Sequence, residues 1–414
     1  MPELIPFRNF HYKEGKNDPK RLRELIAPPY DVISSEEERE LKKRDPKNIC
    51  HVILPESYKK AGEKLDEMIK DGTLITEEDR CVCIYGIEYK HPETGKNIRR
   101  YGFVGLLKLV EIFPANDSVI PHEATFRKYT EDRLNLIRET DANFSPIFTI
   151  YDGNGSADEI IQKYIKKKPH LQTKDREGFT HKIWEIWKEK DIKKIQDIVK
   201  KNSIIIADGH HRYITSLRHS RHGGCRYIMA LFIDFNDPGL FIFPNHRQIH
   251  NMPVKTINEL KRKVQQYFNT TEVKSYKKLK QLLKKFENYN VFGCYFQKKF
   301  LFLKLKEEIK PELVILGKKP KEWKNLDLPI LHKILFEKAL EIEKEEISFI
   351  KDLNKGLKNV KKGHIDALFI VNPTKLENIQ KITEIGEIMP QKSTYFYPKP
   401  LSGLVIHKHT DEIE

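Results

Sequence analysis

The chain of 414 residues reads as an α/β protein with a mixed sheet, followed by a lysine-rich α+β region. Three observations carry that reading. Short apolar runs alternate with amphipathic, helix-spaced segments through the first part of the chain. One stretch, Ser203-Ile-Ile-Ile-Ala-Asp-Gly-His-His-Arg-Tyr-Ile-Thr-Ser-Leu217, joins a buried strand to a helix through an Asp-Gly break. From about Pro253 the composition turns to lysine-rich amphipathic helices. The expected division is therefore an α/β region over 1–250, which holds that stretch, and an α+β region over 251–414, whose last segment can return to it.

Taken in order, residues 1–26 look irregular. Two prolines stiffen the approach to Tyr30 and Asp31. Ser34 or Ser35 then caps a helix with an acidic start, Glu36 to Lys43. His51 to Pro55 reads as a strand, and Tyr58 to Lys70 as an amphipathic helix closed by Asp71-Gly72. Cys81 to Lys90 and Arg100 to Ile112 form a hairpin turning around His91 to Gly95. A loop at His122-Glu123 leads to a helix, Glu131 to Thr140. Strands follow at Asn143 to Tyr151 and Phe179 to Trp187, and a helix at Ile192 to Lys200. After the central stretch come strands Arg226 to Phe235 and Leu240 to Phe243. The second region reads as helices Val254 to Phe268 and Tyr276 to Phe286 and a hairpin, Val291 to Lys306. Helices Leu328 to Glu345 and Leu353 to Lys361, a strand Ala367 to Val371 and a helix Leu376 to Ile388 complete it.

Composition narrows the function. The net charge of +15 admits nucleic acid, membrane surfaces or phosphate-rich ligands, but the lysines are interleaved with glutamates as on a solvated surface. No apolar run approaches the roughly 18 residues that span a bilayer. Five cysteines without a Cys-x-x-Cys pair, and no signal-peptide pattern at the start, fit a cytoplasmic protein. Gly-rich phosphate loops of the P-loop and dinucleotide types are absent, as is a Gly-x-Ser-x-Gly elbow. His210, His211, His219, His222 and Cys225 lie close together, but their spacing matches no zinc pattern.

What remains is chemistry for an anion. Asp208 ends a strand where open sheets place ligands, and Gly209 opens a helix whose first amides have no intrahelical partner. His211 and Arg212 add donors suited to phosphate oxygens. Phosphoryl transfer needs such clamps, carboxylates and a base for the attacking hydroxyl. Further clamps are His246, Arg247 and Lys392; further carboxylates are Asp31 and Glu123. Ser393 and Thr394 add small donors between prolines. By residues alone this is an anion-binding protein without a defined substrate.

Six blocks carry a resemblance. Ala27-Pro-Pro-Tyr-Asp-Val-Ile-Ser34, Ile120-Pro-His-Glu-Ala-Thr125, Asn143-Phe-Ser-Pro-Ile147, Ala207-Asp-Gly-His-His-Arg-Tyr213, His246-Arg247 and Met389-Pro-Gln-Lys-Ser-Thr-Tyr-Phe-Tyr-Pro-Lys399 resemble, in order, the family catalogued as domain of unknown function 1015. The resemblance implies a free serine kinase that makes O-phospho-L-serine. It also implies a magnesium-assisted transfer from inorganic pyrophosphate, or from ATP or ADP. The Asp208-Gly-His-His-Arg212 turn is similar to that of ParB-like and sulfiredoxin-like proteins and implies that core fold. On that likeness Gly209, His211 and Arg212 bind phosphate, and His210 beside them is expected to join them. His210 stands where sulfiredoxin has cysteine, which argues against sulfinate reduction. Asp208 and Glu123 become the base and the metal ligands, His246, Arg247 and Lys392 further phosphate contacts, and Tyr30, Asp31, His122, Ser393 and Thr394 substrate contacts. Pyrophosphate is the expected donor, because the cations are many and no purine pocket is legible. The partners expected are L-serine and the donor, without a membrane or a specific nucleic acid. The rivals are a ParB-like nucleic-acid-binding or nucleotide-switch protein and a phosphohydrolase.

Overall fold

The computed structural model describes residues 1–91, 94–112, 118–123 and 127–409. It is a mixed α/β protein that divides into two compact units, residues 1–241 with 396–414, and residues 242–395. Residues 92 and 93 of the expected hairpin turn, and 124–126, lie outside the described residues. The units differ from the compositional division at both ends of the second region. Strand His246–Ile249 pairs on both sides within the second unit, with Ile347–Ile350 and Ala367–Ile370. The tail from Phe396 onward is built into the first.

The first unit is organised on a nine-stranded mixed sheet. Strand Ile204–Asp208 pairs parallel with Val119–Pro121 and antiparallel with Ile147–Tyr151. Ile147–Tyr151 in turn lies parallel to Tyr227–Asp234. The hairpin Val82–Lys90 and Asn97–Lys108 carries the sheet onward to Thr180–Ile186 and Leu171–Lys174. Ile204, Ile206, Phe103, Phe232 and Trp184 are buried in one apolar cluster with Ile195 and Val199 of helix Glu189–Lys201. Ile205 and Ala207, on the other face, are buried as well, and burial on both sides of the sheet explains the unbroken apolar run before Asp208.

Two local readings change, and one unassigned stretch is filled. Residues 1–26 are ordered: Leu4–Ile5 pairs with Leu107 and Leu106, Phe10–Tyr12 pairs with Leu74–Thr76, and Pro19–Leu25 is a helix. Asp18 caps that helix by accepting from the Lys20 and Arg21 amides, a signal present in Asp18-Pro19. His51 to Pro55 is a helical turn, Cys50–Ile53, instead of a strand. Buried Asn48 starts it by accepting the Cys50 amide at 2.8 Å. Helix Asp158–Ile165 and strand Leu171–Lys174 fill a stretch that carries no clear periodicity in the sequence.

The second unit has its own six-stranded antiparallel sheet, which includes the expected hairpin Val291–Phe296 and Lys299–Leu305. Its edge strand Phe268–Val273 replaces the end of an expected helix, which closes instead at Val264. Helix Ile330–Leu340, of the wide π type, stops short of Glu345 because Glu341 turns left-handed at φ 57°. Among the described residues, no helix of either unit is long and apolar enough to cross a membrane.

Acid should loosen the second unit. His246 and His332 are held neutral there: burial and Arg247 push them down to about 4 and about 3. The unfolded chain takes up both protons near the ordinary histidine value, about 6.5. Stability is therefore full above that pH and falls as the pH drops towards 4, by at most about 2.7 kcal/mol per pH unit for the pair. Urea titrations between pH 7 and 4 measure the slope. A His332→Gln variant, which keeps an acceptor for Arg247, should show a shallower one.

Candidate active site

Asp208 is the last residue of its strand and Gly209 turns the chain at φ 95°, a left-handed conformation that favours glycine. A Cβ on Gly209 would also lie 2.7 Å from Ile147 Cγ2 and 2.9 Å from Arg212 Nη2. Helix His210–Ser220 follows, and its N-cap residue Gly209 brings no side chain to the first turn. The positive end of the helix dipole thus lies beside Asp208.

Two cations grip Asp208. Lys399 Nζ lies 2.6 Å from Oδ1, and Arg212 Nη2 lies 3.3 Å from Oδ2. The same ammonium meets Asp31 Oδ2 at 2.5 Å. Lys399 is 7% exposed. Burial opposes its charge, but Asp208 and Asp31 outweigh burial and hold the ammonium above the ordinary lysine range. Arg212 is fixed from behind, because its Nη1 donates to the carbonyls of Ser145 and Pro146 and to Ser145 Oγ at 3.0–3.1 Å. The Asn143 to Ile147 block is thus a bracket for the arginine.

His122 and His210 pack edge-on behind the aspartate, with ring centroids 4.7 Å apart. His122 Nδ1 meets the Ile206 carbonyl, which can only accept, so that nitrogen carries the proton. His210 Nε2 accepts from the His122 amide at 3.3 Å. Burial drives both imidazoles neutral. Neither is a phosphate clamp by charge, although both were expected near ligand. Glu123 stands two residues beyond Pro121, and Asp208 two beyond its partner Ile206 on the neighbouring parallel strand. The two carboxylates therefore leave the sheet at the same edge, and His122 feels both charges. His211 occupies the helix's first turn and is partly exposed.

Tyr30 and Asp31 arrive on the short turn Tyr30–Val32. The Tyr30 ring takes the Arg133 guanidinium at 4.1 Å from its centroid. Burial raises its hydroxyl pKa, against the charges of Arg212 and Arg133. Tyr30, Arg133, Ser145, Arg212, Thr215 and Ser216 contribute the polar lining of a cavity whose wall includes Ile53, Leu136 and Ile228.

The remaining expected residues belong to the second unit. Arg247 is fully buried; it donates to the Asn245 carbonyl, to His332 Nε2 at 3.2 Å and to the Lys392 carbonyl at 3.3 Å. Burial lowers its pKa to about 9. His246 Nδ1 accepts from the Val371 amide at 3.3 Å. Ser393 is buried, its hydroxyl on the Pro390 carbonyl and its own carbonyl on Thr374. Lys392 is exposed and left-handed at φ 58°, and Thr394 is partly buried.

Sequence reasoning missed three residues. Lys399 lay within a quoted block but had no role; a lysine between Pro398 and Pro400 was the available signal. Arg100 is fully buried and donates to the carbonyls of Tyr397 and Pro398 at 3.0 and 2.6 Å, which positions Lys399. Arg133 gave no signal.

Magnesium held by Asp208 does not fit this arrangement, because each oxygen of that carboxylate already faces a cation.

The chain matches a family model, described as Protein of unknown function (DUF1015), over residues 4–329. No curated protein matches it. Among solved structures it is similar to a conserved hypothetical protein from Pyrococcus furiosus, at 16% identity and TM-score 0.34, covering 69% of this chain and 90% of that one. A free serine kinase in complex with AMP is 14% identical with TM-score 0.35, over 69% and 88% of the two chains. SbnI from Staphylococcus aureus, truncated at its C-terminus, is 11% identical with TM-score 0.36, over 73% and 86%.

Gly209→Ala is expected to lose about 1 kcal/mol or more, because alanine is strained at this φ and its methyl meets Ile147 and Arg212. Denaturant unfolding of the variant beside the parent chain measures it.

Proposed function

The chain belongs to the DUF1015 family, and from that premise we propose that it is a kinase for free L-serine, forming O-phospho-L-serine. One observation carries the reading: Lys399 bridges Asp31 and Asp208 at the N-terminus of helix His210–Ser220. Buried cations, backbone donors and carboxylates at one point are the parts that phosphoryl transfer uses.

In this reading the serine hydroxyl attacks the terminal phosphorus of the donor. The new O–P bond forms as the donor's bridging O–P bond breaks. Glu123 takes the hydroxyl proton, while Asp208 keeps Lys399 and Arg212 in position. Lys399, Arg212 and the amides of His210 to Arg212 receive the phosphate charge. The cavity beside Arg212, with Tyr30 and Ser145 in its lining, is the proposed place for the amino acid.

The donor proposed is a compound with a diphosphate group, inorganic pyrophosphate first, ADP and ATP after it. The abundance of cations that favours pyrophosphate is smaller than the sequence suggests, since Arg247 serves main-chain carbonyls and His246 is neutral. Magnesium enters this reading as the counter-ion of the donor's phosphates.

The test incubates the purified chain with magnesium, L-serine and each of pyrophosphate, ADP and ATP, and follows phosphoserine by mass spectrometry. Phosphoserine with at least one donor is the expected result. Release of phosphate without phosphoserine would favour a phosphohydrolase instead. Asp208→Asn should lower the rate by about 10²-fold, because Lys399 and Arg212 lose the carboxylate that positions them, and should lower the unfolding midpoint, because the buried ammonium loses one of its two carboxylates. Lys399→Met should raise the KM for the donor more than the KM for serine.

A further inference from the structure

At the opposite end of helix His210–Ser220, three side chains from distant parts of the first unit converge. Asp141 follows helix Arg127–Thr140 and turns left-handed at φ 42°. His219 lies in the last turn of His210–Ser220. His409 comes from the chain's tail, and its amide donates to the Asp141 carbonyl at 2.6 Å. One ligand atom from each of the three lies within 4.8 Å of the others.

Their hydrogen bonding is incomplete. His219 Nε2 and both ring nitrogens of His409 are buried without a hydrogen-bond partner. Buried polar atoms without partners are rare, and a bound ion is one group that satisfies them. The nearest opposite charge does not do so, because Asp141 Oδ1 stands 3.6 Å from His219 Nε2, too far for a hydrogen bond. That gap is close to the edge of a tetrahedron about a zinc ion, roughly 3.4 Å for bonds of about 2.0–2.1 Å. Burial also keeps both imidazoles neutral, the form that binds a metal.

The surroundings hold the three donors in place. His407 and Lys408 pair with Asn143 and Ala142, which fixes the tail against the segment after Asp141. Lys408 Nζ donates to the Thr140 carbonyl at 2.8 Å. Gly224 covers His219 so closely that a Cβ there would lie 2.3 Å from Nε2. Two imidazoles and a carboxylate suit zinc and its neighbours in the first transition row, and suit magnesium poorly.

We propose that Asp141, His219 and His409 form a structural zinc site that clips the tail to helix His210–Ser220. The fourth position goes to water. The clip acts on both partners of the candidate active site, since the tail carries Lys399 and the helix begins behind Asp208. The proposal does not depend on the kinase reading, because its readout is metal binding.

The experiment strips the full, untagged chain with a chelator and titrates it with zinc chloride against a chromophoric competitor. The expected result is one equivalent of zinc per chain and a rise in Tm. His219→Ala and His409→Ala should each weaken that equivalent by about 100-fold or more. A double Cys81→Ser, Cys83→Ser variant controls for the other cluster of possible ligands, Cys81, Cys83 and Glu185, and should keep it. Should the histidine variants fail to fold, cobalt binding to the parent chain decides, since a tetrahedral His/His/Asp site gives intense visible absorption without a thiolate charge-transfer band. No stoichiometric zinc in the parent chain, an undiminished equivalent in both histidine variants, its loss in the cysteine variant, or a thiolate band with cobalt would each overturn the proposal.

Discussion

The ammonium of Lys399 between Asp31 and Asp208 is the constraint on which the first unit's architecture turns. Its three members are separated by most of the chain, yet their charged atoms meet within 2.6 Å. An ammonium 7% exposed is tolerated only because carboxylates face it from two sides; with one removed, a buried charge would be left poorly compensated. The chain therefore brings its tail back across the first unit's sheet and fastens it at several points. Arg100 holds the carbonyls of Tyr397 and Pro398, the Leu401 amide donates to the Tyr85 hydroxyl, and Ala27 exchanges two backbone hydrogen bonds with Ser402.

The second fixed point is Arg212. A guanidinium that donates to Ser145 and Pro146 as well as to Asp208 cannot swing freely, so its remaining donor directions are set in advance. Preorganisation of this kind lets a charged ligand bind without first ordering the side chain that receives it. Gly209 makes the arrangement possible, since a methyl group at that position would occupy the space between Ile147 and the arginine.

Both ends of helix His210–Ser220 therefore lie near the tail. At its start, Asp208 meets Lys399; at its finish, His219 approaches His409 with ring centroids 6.3 Å apart. A change at either end has a covalent route to the other through the eleven-residue helix and the eleven-residue run 399–409. In the second unit, Arg247 plays a comparable internal part, binding the carbonyls of Asn245 and Lys392 beneath its own sheet strand.

Local chemistry was written plainly in the sequence. An apolar run, an Asp-Gly break and helix-spaced residues gave strand Ile204–Asp208 and helix His210–Ser220, because those signals act within a few residues of one another. Ser34 as a helix cap, helix Tyr58–Lys70 and the hairpin Val291–Leu305 were legible for the same reason. The short strands Leu4–Ile5 and Phe268–Val273 were not, since a strand of few residues gains its stability from a partner strand that periodicity does not reveal. The same limit applies to charge. Asp208 and Arg212 sit four apart on one strand-to-helix turn and declare themselves, whereas Lys399 is an ordinary lysine until the fold removes it from water and sets two aspartates around it. Arg247 shows the converse: its sequence suits a phosphate clamp, but burial directs it to carbonyls of its own unit. Sequence determined which residues could carry charge and hydrogen bonds; only the tertiary structure decided which of them are desolvated, and desolvation is what turns a charged side chain into a committed interaction.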